Sequence, residues 1–109
     1  MIRLPRLYAV ADEAFGDPVQ LAKALFDGGA MLVQIRHKST GAGVLIREVD
    51  EVLKFAPRNA QVIVNDRPDV ARVAGATGVH LGQEDLPASL ARRVLTKDQV
   101  IGCSTHSLA

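Results

Sequence analysis

The side chains able to do chemistry collect where five short apolar runs end. Residues 7–11 are followed by Asp12, and residues 31–36 contain Gln34 and Arg36 and lead into Lys38. Residues 61–64 are followed by Asn65, Asp66 and Arg67. Residues 78–81 contain His80 and lead into Gln83 and Asp85, and residues 100–103 lead into Ser104, Thr105 and His106. Gln34, Arg36 and Lys38 alternate with Ile35 and His37, so their side chains share one face for as long as a strand continues. Two cations on an inner face need anionic partners. The plainer expectation is that Arg36 and Lys38 reach from a strand end into solvent. Asp66 and Asp85 end neighbouring runs. Two carboxylates beside cations suit Mg²⁺, a hard ion that takes oxygen ligands and keeps waters and substrate phosphates. Taken singly, each aspartate reads as a helix cap, Asp85 ahead of Leu86-Pro87 and Asp66 ahead of Pro68. Taken together beside Arg36 and Lys38, they read as a metal–diphosphate site.

The remaining candidates carry plainer readings. His80 lies inside an apolar run, where a histidine is more often a hydrogen-bonded core residue than a catalyst. His37 is out of phase with Arg36 and Lys38 and is expected to point away from their face, while His106 falls in a loop. Cys103 follows Gly102 within a run and reads as a small buried hydrophobe. The sequence has no Walker loop, no Gly-x-Gly-x-x-Gly turn and no His-Glu-x-x-His helix, which argues against a nucleoside triphosphatase, a dehydrogenase or a zinc protease.

These residues are positioned by alternating strands and helices. Asp17-Pro18 opens a helix with Leu21, Ala24 and Leu25 at helical spacing, and Gly28-Gly29 ends it. A second helix starts near Gly43, carries Leu45, Val49, Val52, Leu53 and Phe55 on its apolar side, and stops at Pro57. Pro68 opens a short third helix through Val70, Ala71 and Ala74, closed near Gly75. Asp85 is expected to cap a fourth, with Pro87 in its first turn and Leu90, Ala91 and Val94 inward. The order is βαβαβαβαβ, which implies an α/β parallel sheet with right-handed crossovers. Continuous apolar strands fit a sheet covered by helices. Two architectures satisfy the pattern, an open doubly wound sheet and part of a (β/α)₈ barrel. In either, the strand C-terminal ends form the ligand edge.

The 109 residues allow one domain or part of one; 48% are apolar and 23% charged, and the formal charge is +1. No run of like charge favours a nucleic-acid partner. A single cysteine excludes an internal disulfide. No apolar run approaches the ~20 residues of a membrane span. The first residues, Met1 to Arg6, lack the apolar core of a signal peptide, so the expectation is a cytoplasmic protein.

Five segments in order resemble the thiamine-phosphate synthase family. They are Leu7-Tyr8-Ala9-Val10-Ala11-Asp12; Gln34-x-Arg36-x-Lys38; Asn65-Asp66-Arg67-Pro68-Asp69-Val70-Ala71; Gly78-Val79-His80-Leu81-Gly82-Gln83-Glu84-Asp85; and Gly102-Cys103-Ser104-Thr105-His106. The resemblance implies a (β/α)₈ TIM barrel, with residues 1–109 as a single partial barrel domain of about four βα units plus a fifth strand. It implies a transferase that couples a pyrimidine methyl diphosphate to a thiazole phosphate, releasing diphosphate. By the same resemblance Gln34, Arg36, Lys38 and Asn65 contact the pyrimidine diphosphate, Asp66 and Asp85 bind Mg²⁺, and Ser104 touches the pyrimidine.

The family's Thr-x-Thr-Lys segment and its glycine-rich phosphate loops are absent from these residues. The chain stops at Ser107-Leu108-Ala109, where a fifth helix is due, and a full barrel needs roughly 200 residues or more. The expectation is an N-terminal half that is inactive alone and forms a homo-oligomer, because its outer strands carry free edges and its inner faces expose Val10, Val33, Ile35 or their neighbours. Two alternatives stand beside it: a thiazole tautomerase-like enzyme, and a non-catalytic half-barrel that oligomerises or binds a phosphorylated ligand.

Overall fold

Helix starts and stops follow the local chemistry. Asp17 Oδ1 accepts the N–H of Val19 at 3.1 Å, and Pro18 occupies the first position of α1 (Pro18–Asp27). The buried residues of α1 are Pro18, Ala22 and Phe26; Leu21 and Leu25 lie at the margin and Ala24 is exposed, so the apolar stripe is rotated from the expected one. α2 (Ala42–Phe55) buries Leu45, Val49 and Val52. Phe26 meets Phe55 edge-on, with ring centroids 6.5 Å apart, and ties α1 to α2. α3 (Pro68–Ala74) ends at Gly75, whose φ of 72° is the left-handed cap that glycine takes without strain. α4 is only Ala88–Ala91. Pro87 precedes it with no side-chain cap, Ala91 alone is buried, and Leu90 and Val94 are exposed. The expected Asp85 cap and the longer helix are therefore absent.

In the computed structural model, which describes residues 8–82 and 85–103, five parallel strands form one sheet. They are β1 (Tyr8–Asp12), β2 (Leu32–Arg36), β3 (Gln61–Asn65), β4 (Gly78–Leu81) and β5 (Val100–Cys103), arranged in sequence order. A doubly wound sheet reverses its strand order at a switch point. This sheet does not reverse, so right-handed crossovers place every helix on one face, as in a (β/α)₈ barrel.

Register sorts the side chains. Ala11, Ile35, Val64, Val79 and Ile101 form one cross-strand row. The first four are fully buried, in the same apolar cluster as Val33, Val62 and the helix residues Ala22, Leu45, Val49, Val52 and Val70. Each buried Val, Leu or Ile contributes about 1.5–3 kcal/mol. The other face carries the row Val10, Gln34, Ile63, Gly78 and Val100. A side chain at Gly78 would collide with the Val100 carbonyl, so β5 can close on β4 only over a glycine. Val33 and Ile35 thus face the helices, contrary to expectation. Among the described residues, the large apolar side chains exposed on the inner face of the strands include Val10 and Val100 at the two edge strands.

Candidate functional site

The helix-free face ends in polar rows. Asp12 pairs across the sheet with Arg36, and Asn65 with His80 and then Gly102. Gln34 is 5% exposed, and its Oε1 accepts from Asn65 Nδ2 at 2.9 Å, so two neighbouring strand ends share an amide bond. Arg36 Nε lies 3.4 Å from Asp12 Oδ2. The anionic partner that a cation on this face requires is therefore supplied by β1, and Arg36 is not simply solvated. Asp12 also accepts the N–H of Ala14 at 2.9 Å, which holds the 3₁₀ turn Glu13–Phe15 at the same rim.

Between the ends of β2 and β3 lies a small open cavity lined by His37, Lys38, Asn65, Asp66 and Arg67. Arg67 is tethered by Asp69 through two bonds, Nε–Oδ1 at 3.1 Å and Nη2–Oδ2 at 2.9 Å. That fork lowers the Asp69 carboxyl below the usual carboxylate range and raises the guanidinium above its own. Among the described residues Lys38 is joined to no carboxylate by an ion pair, and its charge acts on Asp66 through space.

Asp66 and Asp85 come together. Asp66 sits at φ 59°, a left-handed conformation that side chains rarely adopt and that aspartate tolerates better than most. Its N–H donates to the His80 carbonyl at 2.8 Å, which fixes the turn out of β3. Gly82 N–H donates to Asp85 Oδ2 at 2.6 Å and closes the loop after β4. Burial raises the Asp66 carboxyl above its ordinary 3.8, and so do a side-chain hydrogen bond and charge repulsion from Asp85; Lys38 and Arg67 oppose the shift. Neither aspartate caps a helix. The residues ahead of α3 and α4 are Arg67 and Pro87, and neither makes a side-chain cap bond. The capping expectation is thereby corrected for both.

Two carboxylates held in contact concentrate negative charge that a cation would relieve. The pair could hold Mg²⁺: its donors are hard oxygens. Among the described residues there is no group of three or more His, Cys, Asp or Glu side chains that could hold a metal ion.

His37 departs from expectation. Its Nδ1 lies 2.8 Å from Glu48 Oε1 on α2, yet the ring also lines the cavity. Sequence reasoning missed Glu48. It sits three residues after Leu45 and four before Val52, a charge placed within the apolar stripe of a helix, and that placement was the available clue. Gly82 was also missed. His80 is half-buried, and a Cβ on Gly102 would come within 3.2 Å of its Nδ1, so bare backbone makes room for the ring. Cys103 is exposed rather than buried. Gln83, Ser104, Thr105 and His106 lie outside the described residues.

With the geometry in place, known proteins sharpen the comparison. The family described as thiamine monophosphate synthase matches residues 7–109. A thiamine-phosphate synthase of Anaeromyxobacter dehalogenans is 44% identical over 106 residues, covering 97% of this chain and 47% of that protein. One from Chlorobium phaeobacteroides is 43% identical over 105 residues, covering 95% and 51%. The solved thiamine phosphate pyrophosphorylase from Pyrococcus furiosus superposes with a TM-score of 0.84 at 29% identity, over 92% of this chain and 50% of that one. The chain spans about half the length of the curated relatives it matches. A family match over nearly every residue, with a five-stranded sheet that superposes on a solved relative, makes this chain a member of the thiamine monophosphate synthase family.

Proposed function

We propose that this rim binds a pyrimidine methyl diphosphate and promotes its ionisation, the first half of a coupling to thiazole phosphate that yields thiamine phosphate and diphosphate. The observation that carries the reading is the Asp66–Asp85 carboxylate pair beside Lys38, with neither aspartate spent on a helix cap. Asp66 and Asp85 would hold Mg²⁺. When bound, the ion supplies positive charge that stabilises the diphosphate as a leaving group. Lys38 and Arg36 add charge at the same rim, and the Gln34–Asn65 amide pair fixes donors and acceptors for the substrate. Ser104 is assigned to the pyrimidine. The C–O bond breaks with its electron pair going to diphosphate, and the pyrimidine ring delocalises the cation left behind. The thiazole nitrogen lone pair then forms the new C–N bond, so no nucleophilic side chain is required. The second substrate's site is assigned to further strands that complete the barrel, which would add to β1 and β5, each paired here on one side only.

Calorimetric titration tests the assignment by comparing the pyrimidine methyl diphosphate with its dephosphorylated alcohol, with and without Mg²⁺. Lys38→Ala and Arg36→Ala should each weaken the diphosphate by roughly 1.5–3 kcal/mol and leave the alcohol nearly unchanged. Asp66→Asn and Asp85→Asn should remove the Mg²⁺ dependence. Equal losses for both ligands, or Mg²⁺-dependent binding that survives in both aspartate variants, would overturn the reading.

A further inference from the structure

A carboxylate is half-buried where the proposed diphosphate site has no use for one. Glu48 lies on the core-facing stripe of α2, and its side chain is 14% exposed. Such a group is costly to bury unless it is paired. Its partner is His37 Nδ1 at 2.8 Å, in a side chain that is itself 21% exposed. An ionised carboxylate only accepts, so Nδ1 carries the hydrogen and Nε2 is the ring nitrogen left for the cavity that His37 lines.

We infer that His37, held by Glu48, is a further phosphoryl ligand of this site, donating from Nε2 to the anion that Lys38 also binds. The inference rests on the diphosphate reading and extends it to the helix side of β2. The charged groups around the ring are Glu48 from α2, Lys38 from its own loop, and Asp66 and Arg67 from the loop after β3. Arg67 is held by its fork onto Asp69, so Lys38 and His37 join the Asn65 amide and the remaining Arg67 N–H groups as the cavity's donors for an incoming anion. A phosphate oxygen and the Glu48 carboxylate both accept, so a ring that bridges them carries a hydrogen on each nitrogen. Its Nε2–H then makes a charge-assisted bond. Glu48 touches no substrate on this account; it is a positioning residue that sets which nitrogen faces the cavity.

The probe is inorganic pyrophosphate with Mg²⁺, titrated into the protein by calorimetry, with thermal unfolding measured in parallel. His37→Gln and Glu48→Gln should each raise Kd about tenfold, the worth of one charged hydrogen bond, and the double variant should be no weaker than His37→Gln. Unfolding temperatures should stay within a few degrees of the parent. In the unsubstituted protein, long-range ¹H–¹⁵N spectra should show pyrophosphate moving the His37 Nε2 signal and leaving Nδ1 in place. If Lys38→Ala weakens binding while both His37→Gln and Glu48→Gln keep the parental Kd, the inference is wrong and the diphosphate site stands. If Lys38→Ala and Asp66→Asn also bind normally, the diphosphate reading itself is wrong. Should His37→Gln fail to fold, Glu48→Gln and the Nε2 signal decide, and an unmoved signal overturns the proposal.

Discussion

On the helix side of the sheet, Ala11, Ile35, Val64 and Val79 stand in one row and none is reached by solvent. One residue further along the same strands, Asp12 and Arg36 pair with each other, Asn65 reaches back to Gln34, and His80 lies beside Gly102. Strand register separates the two sets completely, because successive side chains alternate between faces. The first row supplies apolar burial. The second is built from groups that are costly to bury and have been given partners at the strand ends. The contrast teaches that apolar burial and the polar groups of the proposed site are carried by alternate residues of the same strands, so a substitution can damage one with little effect on the other.

The largest test of that division sets Ile35 against Val10. Ile35→Ala should cost about 2–5 kcal/mol, since it leaves a void under the helices. Val10→Ala, at a residue 43% exposed on the opposite face, should cost under ~1 kcal/mol. Urea unfolding midpoints measure both, and equal losses would break the comparison.

Asp66→Asn sharpens it through pH. The folded chain holds the Asp66 proton more tightly than the unfolded chain does, because its carboxyl is raised above 3.8. Stability therefore falls as pH rises from about 3.8 through the folded value, and stays lower beyond it. Asparagine tolerates the same left-handed backbone and carries no charge, so the variant should lose this fall and be the more stable protein at neutral pH. It should also lose any stabilisation by Mg²⁺. Thermal unfolding between pH 4 and pH 8, with and without the ion, would show a parental pH profile in the variant if the carboxylate pair has been misread.

The smallest expected effect is at Gly82. A Cβ there would stand 3.0 Å from Asp85 Oδ2, so Gly82→Ala must displace the carboxylate. Mg²⁺ affinity should fall severalfold, while stability changes by less than about 1 kcal/mol. Unchanged affinity would mean that Asp85 is not a ligand in this position.

The order of elements was legible because punctuation is local. Asp17-Pro18, Pro68 and Gly75 each act on the residues beside them, and the structure uses all three as expected. The alternation that set Gln34 and Arg36 on one face was legible for the same reason. Pairings between distant residues were not. Asp66 and Asp85 each read locally as caps, and only the sheet shows that their carboxyls meet instead. His37 and Glu48 are joined across a turn and half of α2, a distance that no periodicity spans. Leu90 and Val94 signalled a longer fourth helix, but both are exposed, and of that stretch only Ala91 and Leu95 reach the core. Cys103 pairs in register with buried Leu81 and is nevertheless exposed, because β5 has a neighbour on one side only.

The left-handed backbone at Asp66 also has a genetic consequence. Single-base changes in an aspartate codon reach Asn, His, Tyr, Ala, Val, Gly and Glu. At φ 59° the ones the chain accepts with least strain are Gly and Asn, and both abolish the carboxylate. Selection on folding alone would let position 66 drift to either residue, and the cell would still accumulate intact protein. On the proposed function, it is selection on the chemistry that would hold aspartate there. Within a set of relatives, Gly or Asn at this position beside an unaltered apolar row would mark lineages that kept the scaffold and gave up the site.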